Sequence, residues 1–426
     1  MITQGDSTSY LEPARNLFLH GAYSNQGLLE LDRTPGYPIF TALTGAAFGN
    51  ILLTASVQIT LAALTLLIIR KTAILSFSSE RAGYIAAWLF ALEPLSIAST
   101  IRIMPETLFV LLLVLVIERL LTFRTTSRLT TLCIAGLSLA AATYVRPVSY
   151  YLVLPLAIAL VVACRKQRKL RWQAPAVLLV STIPLIAAWQ VRNQMEAGYG
   201  GFSSIVERNL YFYQSAEVAA ELQKTSLAVE QENLGYTDEQ SYLACHPDQR
   251  SWTPAQRLRY MRTAALAIIA QHRWLYARTH LAGIAVVAFT PGSTEFLQLL
   301  NLYPSPETMP RRILNEGIFR STDRVFHQHF VAAFWMFYFE GFLLGLYIFA
   351  AMGLRVGKGS TFANMTMVGI ALYFLLISGG AQAVGRYRLP VVPELCILAA
   401  GSLSSFRTKQ ERGLEDPARR VAIPAA

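Results

Sequence analysis

Long apolar stretches dominate this sequence. Ten stretches of 17 to 32 residues, each poor in charged side chains, recur along the 426-residue chain. A helix that crosses a lipid bilayer needs about 20 mostly apolar residues and closes its backbone hydrogen bonds internally. The sequence therefore predicts an all-α polytopic membrane protein with about 9–12 transmembrane helices. The stretches lie near 38–69, 82–101, 103–123, 129–145, 148–164, 174–190, 277–297, 331–353, 363–384 and 389–405. We expect the first to be a short interfacial helix (39–48) followed by a span (51–69), broken at Gly49/Asn50.

The distribution of charge predicts how the chain is oriented. Charged residues make up 15% of the chain and hydrophobic residues 54%, whereas a soluble protein carries about 25% charged residues. The net charge of +11 is concentrated in the short loops 70–81, 124–128 and 165–171, and the longer polar segments 1–37 and 191–276 are neutral or acidic. This asymmetry is typical of a multi-pass protein of the cytoplasmic (inner) membrane with its basic loops inside. It argues against nucleic acid as a partner.

The polar segments divide the chain into five parts. Residues 1–37 are predicted to form an extracytoplasmic, catalytic-type loop, and 38–190 the N-terminal transmembrane helices. Residues 191–276 form a large extracytoplasmic loop. Residues 277–405 contain the C-terminal transmembrane helices with a polar loop at 298–330, and 406–426 form a basic cytoplasmic tail.

Three features of this plan remain open at the sequence level. Within the large loop, Thr253-Pro254 followed by apolar residues at helical spacing (Leu258, Met261, Ala265, Ile268) predicts an amphipathic interfacial helix. Segment 277–297 would begin and end on the same side, so it is re-entrant, or a further crossing exists, or the C-terminal half is inverted. The outer segment 1–37 has no preceding span, so we expect either unaided crossing of a short tail or a first helix missing from the sequence.

Ionisable residues converge on the predicted outer face. Charged groups at helix ends beside a membrane are costly, so a cluster of them indicates a functional site. Several arginines together are suited to a phosphate or pyrophosphate, because the guanidinium group matches phosphate oxygens with a planar set of donors. We therefore predict a site for a polyprenyl-phosphate carrier. The candidate residues are Asp6, Arg33, Arg102, Glu106, Arg146, Arg192, Arg386 and Arg388, the last two on the preferred C-terminal topology.

An ordered set of short motifs resembles the GT-C superfamily of membrane glycosyltransferases. The closest resemblance is to the branch that contains the dolichyl-phosphate-mannose protein mannosyltransferases and the lipid A aminoarabinose transferase. It extends over most of the chain, although each motif alone is weak. The motifs are Gly5-Asp6-Ser7-Thr8-Ser9-Tyr10-Leu11, Arg33-Thr34-Pro35-Gly36-Tyr37-Pro38, Met104-Pro105-Glu106-Thr107, Tyr144-Val145-Arg146-Pro147, Trp189-Gln190-Val191-Arg192-Asn193 and Arg386-Tyr387-Arg388-Leu389-Pro390.

The resemblance implies a reaction and a catalytic residue. In that family the acidic residue of the first outer loop is the catalytic base, which corresponds to Asp6 here. It implies inverting transfer of a hexosyl or pentosyl group from a polyprenyl-phosphate sugar to an envelope glycan, lipid or protein. Some relatives have two acidic residues at this motif, whereas this sequence has only Asp6. No cofactor is predicted to be required, and a divalent cation is possible.

Simpler structural roles compete with the functional ones. Asp6 could be a helix N-cap, and Glu106 could pair with Arg102, four residues earlier. The other arginines could anchor turns or extend to the lipid headgroups, although one of Arg386 and Arg388 is expected on the donor phosphate. An envelope polysaccharide polymerase or ligase would also use outer arginines, but without the Asp6 motif. A transporter or lipid flippase would place its charges nearer the middle of the bilayer and show internal symmetry.

Overall fold

A computed structural model describes residues 5–290, 292–300, 302, 330–356 and 359–414. Most of these residues are helical. Within the described ranges the only β-structure is an antiparallel hairpin of two short strands, β1 (Ser24–Asn25) and β2 (Leu28–Leu29). The predicted all-α fold class is therefore confirmed.

The N-terminal segment is folded rather than an open loop. It contains helix α1 (Gly5–His20), the hairpin and helix α2 (Gly36–Leu43). Ala14 of α1 packs on Ala42 and Ala47, and Arg15 Nε donates to the carbonyl of Ala47 at 3.0 Å. Small side chains at this contact let the two helices approach closely, so the N-terminus of α1 is held in a fixed position beside the membrane helices.

The chain enters the first long helix through a predicted break. Gly49 has a φ of +93°, a left-handed conformation that favours glycine. The Asn50 side chain then caps helix α3 (Ile51–Phe77) by accepting from the Leu53 amide at 3.2 Å. The predicted division of 38–69 at Gly49/Asn50, into a short helix and a longer apolar helix, is confirmed.

The next apolar stretch is a broken helix. The single segment expected at 82–101 is instead helix α4 (Glu80–Ala91) followed by α5 (Pro94–Ile101), at an angle of 61°. The break has a local cause: Pro94 occupies the first turn of α5, and the buried Glu93 carboxylate accepts from the Ser96 amide at 2.6 Å. The role of Glu93 is therefore to cap the first turn of α5.

Helix α6 forms the centre of the N-terminal bundle. It spans Glu106–Thr126 and packs against α3 and against α7 (Leu129–Val145), which in turn packs on α9 (Leu170–Ala197). Helix α8 (Val153–Ala163) completes this half. At the far end of α6, the buried Glu118 pairs with Lys71 of α3 at 2.8 Å and with Arg119. These contacts hold the second half of α6 against α3, and Glu106 lies at its other end.

The large hydrophilic segment folds into short helices around a π-helical turn. Helix α10 (Ile205–Asn209), the π-turn Leu210–Ser215 and α11 (Ala216–Gln223) are continuous and are followed by α12 (Leu227–Asn233) and α13 (Glu239–Cys245). Helix α14 (Pro254–Gln271) begins with a capping box made by Thr253 and Gln256. Its buried residues are Leu258, Met261 and Ala265, so the helix is amphipathic as predicted, and this apolar face packs on the π-turn. Its expected place at the membrane interface stays a prediction.

The C-terminal half contains five helices within the described ranges. They are α15 (Arg273–Phe289), α16 (Ser293–Leu299), α17 (Phe330–Val356), α18 (Thr361–Ile377) and α19 (Val392–Leu414), and a 3₁₀ segment, Gly385–Val391, leads into α19. Helix α19 packs against α17 and α4. The predicted polar loop 298–330 lies almost entirely outside the described residues, and most of the predicted tail 406–426 does as well.

Several helices are suited to a lipid environment. Within the described part of the chain, α3, α9 and α17 are each long and apolar enough to cross a bilayer alone, and the bent pair α4–α5 would make a fourth span. Helices α7 and α18 are apolar but have only 17 residues each. The number of about 9–12 spans stays a prediction.

Gly283→Ala should destabilise the protein. A Cβ at Gly283 of α15 would lie 2.1 Å from the backbone nitrogen of Gly380, in the loop that leads to Arg386. Because backbone atoms cannot move aside as a side-chain tip can, we expect a loss of about 1–3 kcal/mol. Thermal unfolding in detergent would measure it. Gly369→Ala is the control, since a Cβ there meets nothing within 4 Å; equal melting temperatures for the two variants would contradict the prediction.

Candidate functional site

Asp6 lies in the first turn of α1 and pairs with two arginines that come from distant parts of the chain. Its Oδ2 accepts from Arg386 Nη2 at 2.5 Å, and its Oδ1 lies 3.9 Å from Arg33 Nη2. The Asp6 side chain is 42% exposed and those of both arginines are 25% exposed. The site is therefore partly open, and its charged atoms are accessible to a ligand.

The arginines determine the ionisation state of Asp6. Burial raises the pKa of its carboxyl group. The charge and hydrogen bond of Arg386, together with the charges of Arg33 and Arg146, lower this pKa by more than burial raises it, so the pKa of Asp6 lies below the ordinary value of 3.8. Asp6 is consequently a carboxylate at neutral pH and can accept a proton.

Arg33 is held by aromatic and hydroxyl groups. Its guanidinium lies 4.6 Å from the centre of the Tyr10 ring, Nη1 donates to the Tyr10 hydroxyl at 3.1 Å, and Nε donates to Ser9 Oγ at 3.0 Å. Tyr10 packs edge-on against Tyr37, with ring centres 5.2 Å apart. The Tyr37 hydroxyl in turn donates to Gln58 of α3 at 2.8 Å. These contacts fix the Arg33 guanidinium beside α1.

Glu106 and Arg146 form a second ion pair in the same region. Arg146 Nη1 lies 3.2 Å from Glu106 Oε1, and Glu106 is buried. The salt bridge to Arg102, which was the competing structural role for Glu106, has a different partner in the structure, because the fold brings Arg146, forty positions away in sequence, to the start of α6. The Arg146 guanidinium also lies 5.6 Å from the Tyr387 ring. Both Glu106 and Arg146 act electrostatically on Tyr10, which joins this pair to the Asp6 cluster.

The other three predicted residues are not at Asp6. Arg192 stacks on Trp189 at 4.8 Å and donates to Asn193 Oδ1 at 3.0 Å, beside the β-hairpin. Arg102 is buried at the corner between α5 and α6, where its carbonyl accepts from Gln58 Nε2 at 2.7 Å.

Arg388 is fully buried and completes the end of a helix. Its Nη1 donates to the carbonyls of Val287, Ala288 and Thr290 at 2.6–3.2 Å. The four carbonyls that end an α-helix have no intrahelical partner. Arg388 therefore serves the C-terminus of α15, and it anchors the 3₁₀ segment that presents Arg386.

Several residues near the site were not predicted from the sequence. Tyr10 lies one helical turn after Asp6, a spacing that places both on one side of α1, so a signal for it existed. Glu30 had no such signal. It is buried, and it accepts from the backbone amides of Asp32 and Arg33 at 2.6 and 2.8 Å, which shapes the turn before α2. Burial and the charge of Asp32 raise the Glu30 pKa to about 6.

An apolar cavity lies beside Glu106. Its volume is about 250 Å³, and residues of α3, α4, α5 and α6 line it. Its polar lining consists of Glu106 and serine and threonine side chains, among them Thr107, and the rest is aliphatic apart from Phe90. Glu106 Oε2 is buried without a hydrogen-bond partner among the described residues. The cavity therefore joins an apolar region between membrane helices to the charged cluster.

In the described ranges no three His, Cys, Asp or Glu side chains are grouped so that they could hold a metal ion. The positive charge in the site comes from arginine side chains. The expectation that no cofactor is required, with a divalent cation possible, stays a prediction.

Arg388→Lys should lower stability and leave ligand binding unchanged. Lysine has a shorter side chain and lacks the rest of the guanidinium, so its ammonium cannot both fill the buried volume and lie where Nη1 contacts the three carbonyls, and we expect a loss of about 2 kcal/mol in unfolding free energy. Thermal unfolding would measure this loss. Isothermal titration with undecaprenyl phosphate should give the wild-type dissociation constant. A large loss of affinity at unchanged stability would instead assign Arg388 to the ligand site.

Comparison with known proteins confirms the resemblance. Residues 32–191 match the model of the dolichyl-phosphate-mannose-protein mannosyltransferase family. Asp6 and Arg386 lie outside this matched range. No curated protein matches the sequence.

Solved structures show the fold. ArnT from Cupriavidus metallidurans bound to undecaprenyl phosphate is 14% identical; the match covers 96% of this chain and 58% of ArnT, with a TM-score of 0.50. The archaeal oligosaccharyltransferase AglB from Archaeoglobus fulgidus, in complex with an inhibitory peptide and a dolichol-phosphate, is 12% identical; the match covers 100% of this chain and 49% of AglB, with a TM-score of 0.51. This chain thus spans about half of these proteins, and at such identities the likeness establishes the GT-C fold alone.

Proposed function

We propose that this protein is a glycosyltransferase that moves a sugar from a polyprenyl-phosphate donor to a hydroxyl group of an extracytoplasmic glycan, lipid or protein. One observation carries the proposal: the Asp6 carboxylate is held between Arg386 and Arg33, at a partly open site beside the membrane helices. The family match over residues 32–191 and the GT-C fold support it.

The proposed reaction is a single displacement at the anomeric carbon. The acceptor oxygen forms a bond to this carbon while the bond from the carbon to the phosphate oxygen breaks, so the configuration inverts. Asp6 takes the proton of the acceptor hydroxyl. The leaving polyprenyl phosphate gains negative charge, which Arg386 and Arg33 stabilise with fixed guanidinium groups. No step requires another reactant.

Donor binding would also adjust the basicity of Asp6. In the free site, the pKa of Asp6 is lowered by Arg386 and Arg33, which makes the carboxylate a weak base. A phosphate bound to the same guanidinium groups supplies negative charge that offsets theirs. The Asp6 pKa would then rise, and the carboxylate becomes a stronger base only when the donor is in place.

The apolar cavity is our candidate for the first isoprene units of the donor lipid. It lies between membrane helices and ends at Glu106, whose partner Arg146 acts electrostatically on Asp6. A lipid chain in this cavity would place its phosphate near the arginine cluster. The positive-inside charge pattern supports the cytoplasmic membrane as the location, with the cluster on its outer face.

Turnover of lipid-linked donors tests the proposal. The full chain, reconstituted in liposomes, is given a pool of polyprenyl-phosphate sugars with labelled sugar groups, together with envelope glycan, lipid and protein fractions. We expect free polyprenyl phosphate and a labelled product, and no turnover of nucleotide sugars. Flux of the donor across the bilayer without any turnover would overturn the proposal and favour a flippase.

A further inference from the structure

A π-helical turn is bonded to the loop that leads to Arg386. It spans Leu210–Ser215 within the large hydrophilic segment. π-Turns are rare and occur often at functional sites, because the extra residue re-aims a side chain. The freed Phe212 carbonyl accepts from Gln231 Nε2 of α12 at 3.0 Å, so the turn is stabilised by a specific partner.

The turn is attached to the loop that carries Arg386. Gln214 Nε2 donates to Gln382 Oε1 at 2.7 Å and to the carbonyl of Gly379 at 3.2 Å. Gln214 is buried, and its side chain contacts Gly380, which has a φ of +93°. The π-turn and the Arg386 loop are therefore joined next to the site.

Tyr213 on this turn forms a hydroxyl pair with Tyr236. The two oxygens are 2.5 Å apart, and the rings meet edge to face at 5.4 Å. Both side chains are partly exposed. Tyr213 lies within electrostatic range of Tyr387 and Asp6, and burial together with these neighbours raises its pKa, so the hydroxyl is neutral.

A pair of neutral hydroxyl groups has a defined binding capacity. One O–H joins the two oxygens, which leaves one O–H free to donate and lone pairs free to accept. A sugar hydroxyl needs one donor and one acceptor, and the pair supplies both. The phosphate of a donor is better matched by Arg33 and Arg386, which contact Asp6.

We propose that the Tyr213–Tyr236 pair binds a neutral hydroxyl group of the acceptor beside the one that reacts, and thereby orients the reacting hydroxyl toward Asp6. An acceptor with two neighbouring hydroxyl groups is a polyhydroxyl compound, that is, a glycan. This inference rests on the proposed function. It assigns the two tyrosines to acceptor binding and positioning, and proton removal stays with Asp6.

The test measures sugar binding directly. The full chain in lipid nanodiscs is titrated with methyl α-D-glucopyranoside and methyl α-D-mannopyranoside as neutral probes and with glucose 6-phosphate as an anionic probe. Saturation-transfer NMR gives the affinities. We expect the neutral probes to bind about 3- to 10-fold more weakly to Tyr213→Phe and Tyr236→Phe, since each loses one hydrogen-bonding hydroxyl. Tyr242→Phe is the matched control, because its hydroxyl donates to Gln249 in the same aromatic cluster.

Two further measurements separate the possible outcomes. We expect all variants to bind undecaprenyl phosphate with the wild-type affinity and to have the wild-type melting temperature. A loss of affinity for the neutral sugars then reflects the acceptor site alone. Wild-type affinity in both tyrosine variants, or neutral probes that do not bind at all, would overturn the inference. Sugar binding that depends on the tyrosines, in a protein that turns over no donor, would support this sugar site and reject the proposed transferase activity.

Discussion

Asp6→Asn is expected to reduce the rate of glycosyl transfer by about 10²- to 10⁴-fold, the usual contribution of a general base. Asparagine keeps the size of the side chain and cannot take the acceptor proton. The same change should preserve or strengthen binding of undecaprenyl phosphate, because Arg386 and Arg33 then lose a competing carboxylate. Single-turnover rates and equilibrium binding would measure the two effects separately.

Asp32→Asn is the matched control for this prediction. Asp32 is a carboxylate of the same N-terminal segment, but it accepts from Ser204 and pairs with Arg208 at 3.2 Å instead of facing Arg386. Its loss should leave the chemical step nearly unchanged. A transfer rate in Asp6→Asn equal to that of the wild type would remove Asp6 from the mechanism.

The pH dependence of stability gives an independent measure of the Asp6 pair. The folded-state pKa of Asp6 is lowered from 3.8, so its contribution is present above pH 3.8 and is lost as the pH falls through the lower folded value. The melting temperature of Asp6→Asn should therefore differ from that of the wild type near neutral pH and approach it in acid. A difference that is constant with pH would mean that the pair does not act through ionisation.

The sequence predicts local structure well where a short signal exists. Gly49 and Asn50 mark the start of α3, and the apolar spacing of Leu258, Met261 and Ala265 marks the buried face of α14. The bend between α4 and α5 was not predicted, although an acidic residue followed by proline, Glu93-Pro94, is a common start of a helix. Hydropathy alone hides such a break, because the residues on both sides are apolar.

Long-range pairings were only partly predictable. The charges of Asp6, Arg33 and Arg386 and their expected side of the membrane predicted that they belong to one site. The fold places them in contact. The sequence could not predict which of Arg386 and Arg388 lies in the site, because the relative direction of two side chains two residues apart depends on the local backbone. The 3₁₀ geometry of 385–391 turns Arg386 outward and buries Arg388. Tyr213 had only a weak sequence signal, since the aromatic run Tyr211-Phe212-Tyr213 could either stack on a sugar or anchor a loop at the lipid headgroups. Its pairing with Tyr236 depends on a π-turn that the sequence does not reveal.

Arg386→Ala is expected to reduce the transfer rate by about 10²- to 10³-fold, as the loss of one fixed donor to a developing anion usually does. In the free protein Arg386 contacts Asp6 at 2.5 Å, so its removal has two opposing consequences. Asp6 becomes a stronger base because its closest cation is gone, and the leaving phosphate loses its main counter-charge. We expect the second effect to be the larger, because the charge on the phosphate grows in the transition state, whereas the basicity of Asp6 is already raised by the bound donor.

The pH–rate profile distinguishes these two effects of Arg386→Ala. Restored basicity of Asp6 should move the acid limb of the profile to higher pH, while the plateau falls through the loss of phosphate stabilisation. Arg386→Lys should recover part of the plateau, since it restores the charge without the planar set of donors. Arg192→Ala is the control arginine, because its guanidinium stacks on Trp189 away from Asp6. If Arg386→Ala moved the acid limb but left the plateau at the wild-type level, Arg386 would act only on Asp6, and the donor phosphate would have to bind elsewhere.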